Sequence, residues 1–361
     1  MRIGILTFHY AHNYGAVLQA YALQYILERI GHVVCFIDYR NKRIYDGYKV
    51  FDINRYINRN PLKCIQNTCT ELKTISKRRK RFESFNRFIT DKLNVVSETD
   101  VVSKPFDCII VGSDQVWNTK LTNGFDPYYW GFFQKPVGTR LISYAASMEQ
   151  NGTENISEIK RYLEHFDAIS VREKELEETL SIILPEKEIA TVVDPTVLIQ
   201  KEVWEELSSP PPIKEPYLLL YQVRNSPICE NIAKQIAEEK NLKLIYLSAS
   251  VLSQNSDECI STSPEEYLGW FRNASFVVCS SFHGTVFSLL FERPFYSIRL
   301  NDGKDSRVKN LLNEVNLSDR FISSYHSPEN KNETIDFYET KVSLGKIADT
   351  SIKILKRYLQ L

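Results

Sequence analysis

The sequence predicts an α/β fold of two doubly wound parallel-sheet domains that face each other across a cleft. Three observations carry this expectation. An apolar β-rich run, a helical period and a second apolar run follow one another within residues 2–39, which is the pattern of a βαβ unit. The same alternation restarts after Ser208-Ser209-Pro210-Pro211-Pro212, the strongest linker signal in the chain. A chain of 361 residues is also long for one hydrophobic core and comfortable for two domains.

The elements follow in order. Residues 2–8 form the first strand, and Leu18, Ala22, Leu23, Ile26, Leu27 and Ile30 then recur at helical spacing until Gly31 stops them. Strands are expected at 33–39, 108–111, 141–145, 168–171 and 189–193, with helices around 156–166 and 174–183. After the linker come a strand at 217–221, a helix at 229–240 and a strand at 243–247. Ser263-Pro264-Glu265-Glu266 starts a helix, with serine as cap, proline at the first helical position and glutamate closing a capping box. A strand at 276–279, a helix from Gly284 and a strand at 295–299 complete the second half. The domains are therefore expected at 1–207 and 213–340. A last helix at 347–359, within a segment 341–361, is a candidate to cross back onto the first domain.

Composition excludes several classes. Hydrophobic residues make up 43% and charged residues 25%, enough to fill both cores. The 45 basic and 45 acidic side chains cancel, which argues against a dedicated nucleic-acid binder. Seven cysteines, an odd number without a C-x-x-C, read as reduced structural residues and imply a reducing compartment. Cys64 and Cys69, the closest pair, have no histidine nearby to complete a metal site. The apolar amino-terminal run is too short for a signal peptide or a membrane span, so a cytoplasmic protein is expected. Lys77, Arg78, Arg79, Lys80 and Arg81 stand before Phe82, Phe85 and Phe88. This is either a solvated helix face over an apolar stripe or a peripheral contact with anionic lipid headgroups at the cytoplasmic face of a membrane.

Polar residues cluster where strands end, and this localises a candidate site. After the first strand come His9, Tyr10, Ala11, His12, Asn13, Tyr14 and Gly15, leading into a helix. This is not a G-x-G-x-x-G fingerprint; it reads as a polar substrate surface or as a turn with satisfied side chains. CIIVGSDQVWN puts Gly112, Ser113, Asp114 and Gln115 after a buried strand, with Trp117 and Asn118 behind; Asp114 is a carboxylate for the cleft or a helix cap. The aromatic run 125–133 reads by default as core packing. Arg172 and Glu173 end another strand, where the arginine is half of an ion pair or an anion clamp. FVVCSSFHGT ends a strand in Ser280, Ser281, Phe282, His283, Gly284 and Thr285 and opens a helix. The free amides and dipole of that helix start favour an anion, and His283 stands where it can move a proton.

These segments, in this order, resemble the polysaccharide pyruvyl transferase family. The matching pieces are NYGAVLQAYAL, GSDQVWN, SYAAS, ISVRE, VVDPTVL, SSFHGT and SRVKNLLNEVNLSDR, spread over residues 3 to about 320. Each alone is weak, and the ordered set is specific. The resemblance implies two Rossmann-like domains in a glycosyltransferase-B-like arrangement. It also implies transfer of a pyruvyl group from phosphoenolpyruvate to a sugar of a surface or capsular polysaccharide precursor, giving a cyclic ketal and phosphate. The family's histidine falls on His283 and its arginine after the late strand of the first domain on Arg172. Some members carry an arginine two residues before that histidine, where this chain has Ser281, so another cation is needed for the donor: Arg307 first, Arg299 second. The resulting expectation has His283, Asp114 and Glu173 catalytic. Arg172, Ser280, Ser281, Gly284, Thr285, Arg307 and Arg299 hold the donor, and His9, His12, Asn13, Tyr14, Gly15, Gln115, Trp117 and Asn118 hold the acceptor. No cofactor and no metal is expected, and the saccharide acceptor is a candidate for lipid linkage. Two alternatives stand beside this one: a glycosyltransferase using a sugar nucleotide, and a non-catalytic sugar-binding or scaffold protein.

Overall fold

The computed structural model describes residues 1–50, 61–97, 105–148, 155–249, 259–300, 305–325 and 335–360. Strands β1 (Arg2–Leu6), β2 (Val33–Ile37), β3 (Val95–Val96), β4 (Cys108–Val111) and β5 (Arg140–Ser143) pair in the order β3-β2-β1-β4-β5, every pair parallel. Ile3 of β1 is opposite Val34 of β2 and Cys108 of β4. Strands β6 (Ile169–Val171) and β7 (Ile189–Thr191) continue this layer through single parallel bridges from Ile142 to Ala168 and from Ala146 to Val171.

The second sheet is built from β8 (Tyr217–Gln222), β9 (Lys243–Ser248), β10 (Cys259–Ile260), β11 (Phe276–Cys279), β12 (Phe295–Ile298) and β13 (Phe321–Ile322). It runs β10-β9-β8-β11-β12-β13, again all parallel. Strands β4, β8 and β11 are buried along their whole length, as expected where helices cover both faces of a parallel sheet. Both sheets therefore have the Rossmann-like order, and two such sheets facing a cleft make a glycosyltransferase-B-like α/β architecture. The short edge strands β3, β10 and β13 are too brief to leave a periodicity in the sequence.

The apolar packing departs from a picture of two separate cores. One central cluster takes residues from both sheets: Ile3, Phe36 and Ile110 from the first, Tyr217, Leu219 and Val277 from the second. The outer face of the first sheet has its own cluster around Trp117, Trp130 and Phe166, and the outer face of the second has one around Leu218, Ile232 and Val278. Of the aromatic run near 125–133, read by default as core, Tyr129 and Trp130 are buried core residues, whereas Phe132 is exposed.

The proline-rich connection is pinned rather than loose. The Ser209 amide donates to Glu265 O at 2.9 Å, and a side-chain carbon on Gly269 would sit 1.7 Å from Ser209 O. Only glycine admits that approach. The helix Pro264–Asn273 carries the capping box read from sequence, with Ser263 Oγ accepting from Glu266 N and Glu266 Oε2 accepting from Ser263 N. The last helix is longer than its periodicity suggested, Phe337–Gln360. Tyr358 Oη donates to Ile169 O and Ser351 Oγ accepts from Val193 N, so it lies against β6 and the segment after β7.

One expectation about the basic run is corrected. Arg78 and Arg81 are buried, whereas Arg79 and Lys80 are exposed. The run lies on the helix Pro61–Lys92, so a 3.6-residue period turns Arg78 and Arg81 onto the inner side. Arg81 donates to Tyr14 Oη at 2.7 Å and to His12 O at 2.9 Å, and its guanidinium lies over the rings of Tyr14 and Phe85. Two of the five cations are thus structural and unavailable to a lipid surface. No helix among the described residues is long and apolar enough to cross a membrane.

Candidate active site

In each sheet the strand order reverses between two neighbouring strands, β1 and β4 in the first, β8 and β11 in the second. Ligands of such folds bind outside the carboxyl ends of the strands at that point. A cavity of about 580 Å³ lies there, between the halves. Phe8 and Asp114 come to its wall from the ends of β1 and β4; Val223 and Arg224 come from the end of β8, and Ser281 and His283 from the end of β11.

The turn after β11 is short. Ser281 is the cap of the helix Phe282–Leu290, its Oγ accepting from Gly284 N at 2.9 Å and its carbonyl from Thr285 N at 3.0 Å. The first-turn amides of Phe282 and His283 have no partner within the helix. They and the helix dipole give this wall a positive end. Thr285 does not reach the cavity: it is fully buried, with Oγ1 on Ser281 O and against Ser297 Oγ at 2.6 Å. Gly284 is packed against the Ser281 and Tyr221 side chains and is buried.

His283 is one place where the two halves meet. A side-chain carbon on Gly15 would lie 2.1 Å from His283 Nδ1, so glycine at the start of the helix Tyr14–Arg29 makes room for the ring. On the other edge Nε2 is 3.4 Å from Asp194 Oδ2 and shut off from solvent. The side chain as a whole keeps 15% of its surface, so Nδ1 is the nitrogen the cleft can reach. Asp194 is fully buried and ion-paired to Arg172 Nη2 at 3.0 Å. Burial alone would raise its carboxyl, but the Arg172 guanidinium and His283 outweigh burial and hold it well below the usual carboxylate range.

Behind this lies a second pair. Arg307 faces the cavity, with Nε 3.9 Å from Glu173 Oε1, which also accepts from Ser147 Oγ at 2.5 Å. Burial pushes Glu173 up against the opposing pull of Arg307 and Arg172, and burial pulls Arg307 down against Glu173. Both guanidinium groups lie over the Phe282 ring, that of Arg172 at 5.5 Å and that of Arg307 at 5.8 Å, within cation–π reach.

The structure therefore divides the expected site residues. His283, Asp114, Ser280, Ser281, Arg307, Asn13 and Gln115 line the cavity, and Gly15 seats the histidine. Arg172 does not line it; the ion-pair reading describes its contacts, since Nη2 binds Asp194 and Ser113 Oγ. Glu173 stands behind Arg307. Arg299 is exposed over the wall residue Phe321 and does not itself line the cavity.

Most of the first loop turns inward. His9 is fully buried, with Nε2 3.6 Å from Asp38 and Nδ1 against Thr7 O. His12 is buried between Phe82 and Phe85 with Nε2 on Asn86 Oδ1, and burial lowers it to about 4. Tyr14 stacks on Tyr267 and bonds Thr262, joining the two halves. Trp117 is core, its Nε1 donating to Tyr129 O, and Asn118 caps the helix Thr119–Thr122. These five were expected on an acceptor surface; the loop after β1 is long enough to turn His9, His12 and Tyr14 inward, and Trp117 and Asn118, after β4, are held by Tyr129 O and the helix Thr119–Thr122.

Sequence reasoning missed Asp194, although VVDPTVL was noticed. Its local signal is a cap: Oδ1 accepts from Thr196 N, and Pro195 follows at the first helical position. That it meets a histidine from the other sheet is long-range and has no local signature. Arg43, Tyr48 and Lys120 at the wall were missed for the same reason. The described residues hold no group of three or more His, Cys, Asp or Glu arranged for a metal ion.

Comparison with known proteins adds the following. The model of the polysaccharide pyruvyl transferase family matches residues 13–302. No curated protein matches the chain. Among solved structures, Staphylococcus aureus MnaA in complex with UDP is similar at a TM-score of 0.49 and 10% identity, over 100% of this chain and 97% of that one. Neisseria meningitidis UDP-GlcNAc 2-epimerase bound to UDP-GlcNAc is similar at 0.47 and 10%, over 100% of both chains. Escherichia coli ADP-heptose LPS heptosyltransferase II is similar at 0.34 and 10%, over 99% of this chain and 100% of that one.

Proposed function

Because the chain belongs to the polysaccharide pyruvyl transferase family, we propose that it moves a pyruvyl group from phosphoenolpyruvate to two hydroxyls of a saccharide, forming a cyclic ketal and releasing phosphate. The observation that carries this reading is the pairing, across one cavity, of a wall whose groups suit an anion with a polar wall. Ser281, the helix start, His283 and Arg307 make the first; Asn13, Asp114 and Gln115 make the second.

Phosphoenolpyruvate brings a phosphate and a carboxylate. The open amides at the helix start suit the phosphate, and the planar guanidinium of Arg307 suits the carboxylate. Glu173, 3.9 Å from Arg307 Nε, orients that guanidinium. The polar wall takes the saccharide, with Asp114 facing the donor.

Protonated His283 gives its Nδ1 proton to the methylene carbon, and the adjacent carbon becomes an oxocarbenium-like centre. One sugar hydroxyl adds there, its proton passing to Asp114, and a tetrahedral centre still bearing phosphate results. The second hydroxyl displaces phosphate; its proton returns to His283, and Asp114 gives its proton to the departing phosphate. Both groups end as they began, so one acid and one base suffice.

The test is a melting experiment followed by product analysis. Phosphoenolpyruvate is expected to raise the melting temperature, by the equivalent of about 2.7 kcal/mol at a hundredfold excess over Kd, and high salt to weaken the effect. Incubation with phosphoenolpyruvate and lipid-linked saccharides should give, by mass spectrometry, a saccharide carrying one added pyruvate. Stabilisation by a sugar nucleotide, with none by phosphoenolpyruvate, would give the site to a glycosyltransferase.

A further inference from the structure

A histidine that moves protons through one ring nitrogen needs the other held, and we infer that Asp194 is the positioning residue that holds His283. The chemistry of this inference rests on the proposed pyruvyl transfer; its geometry does not. Asp194 follows β7 in the first layer, and His283 follows β11 in the second sheet. The contact therefore completes the site only when the two halves are together.

The two carboxylate oxygens are already divided between tasks. Oδ1 accepts from Thr196 N at 3.0 Å and from Thr196 Oγ1 at 2.6 Å, which fixes the rotamer. Oδ2 is left between Arg172 Nη2 at 3.0 Å and His283 Nε2 at 3.4 Å. The 3.4 Å contact lacks hydrogen-bond alignment, yet a buried carboxylate oxygen repels a facing lone pair and favours the proton on that nitrogen. The neutral ring is then the Nε2–H tautomer, with its Nδ1 lone pair toward the cleft. Gly15 seats the ring in this orientation, because Nδ1 occupies the space a side-chain carbon there would fill. Arg172, with no place at the cavity wall, keeps Asp194 ionised so that it remains an acceptor.

The experiment reads tautomer and turnover separately. Ring ¹⁵N spectra of the wild-type protein without substrate should show His283 as the Nε2–H tautomer. Asp194→Asn presents an amide N–H to Nε2 and should move the proton to Nδ1. Turnover should then fall about 10²–10⁴-fold, as for loss of a proton-transfer group, with KM for phosphoenolpyruvate changed no more than about threefold. A purely structural Asp194 would change stability and leave the tautomer alone. If the single variant does not fold because Arg172 loses its counter-charge, Asp194→Asn combined with Arg172→Met removes both charges and carries the same readouts. Gly15→Ala displaces the ring with every charge in place and should lower kcat at least about tenfold.

A wild-type Nδ1–H tautomer, or an Asp194→Asn enzyme with normal kcat, would overturn the inference. A protein that ignores phosphoenolpyruvate yet shows the Nε2–H tautomer would remove the pyruvyl-transfer reading and keep Asp194 in this part.

Discussion

The loop after β1 and the loop after β11 both lie at the carboxyl end of a central strand and both lead into a helix, yet they dispose of their polar residues in opposite ways. Seven residues separate Leu6 from the helix that starts at Tyr14, whereas two separate Cys279 from the helix that starts at Phe282. In the long loop His9 and His12 fold back onto Asp38 and Asn86, and Asn13 is the loop's polar side chain at the cavity wall, beside the apolar Phe8 and Ala11. In the short one the capping serine and His283 have nowhere else to go. A polar cluster at a strand end marks a ligand surface when the chain is too short to turn it inward. Length, more than composition, decides.

That comparison can be broken at the residue that pins the long loop. Arg81 donates to the His12 carbonyl and to Tyr14 Oη from a buried position. Arg81→Glu puts a buried carboxylate against the His12 carbonyl and the faces of Tyr14 and Phe85, and should cost at least about 4 kcal/mol. Arg79→Glu, two residues earlier on the solvent side, exchanges an exposed ion pair with Glu83 for a repulsion and should leave the melting temperature nearly unchanged. Equal effects in thermal unfolding would contradict the inward turn of this run.

A smaller effect sharpens the same point. Burial lowers His12 to about 4, from an ordinary value near 6.5. As pH falls through 6.5 the unfolded chain takes up a proton that the folded one refuses, so stability declines between about pH 6.5 and 4. The decline from this residue should reach about 2–3 kcal/mol at pH 4. His12→Phe keeps a ring against Phe85 and removes that part of the slope; denaturant titrations at pH 7 and pH 4 measure it. A variant with the wild-type pH slope would put His12 on the surface.

Much of the fold was legible because its signals are local. The βαβ alternation, the Ser263 capping box and the apolar runs of β4, β8 and β11 each lie within a few residues. The edge strands β3 and β10 were not, being two-residue pieces held by their neighbours. In the site, His283, Ser281, Asp114 and Arg307 could be named from strand ends and the resemblance. Arg172 was found with two readings open, and only its distance to Asp194 separates them. The inward turn of His9, His12 and Tyr14 depends on Asp38, Asn86 and Thr262. No periodicity brings those partners to that loop.

The most direct test of the central claim compares the two loops through their histidines. Phosphate release from phosphoenolpyruvate, with saccharide acceptor present, is measured for the wild type, His283→Gln and His12→Gln. Glutamine keeps a hydrogen bond in each place and cannot shuttle a proton near pH 7. His283→Gln should lose about 10²–10⁴-fold in kcat while phosphoenolpyruvate still raises its melting temperature, and His12→Gln should turn over at close to the wild-type rate. Near-normal turnover by His283→Gln, or the larger loss in His12→Gln, would contradict the account.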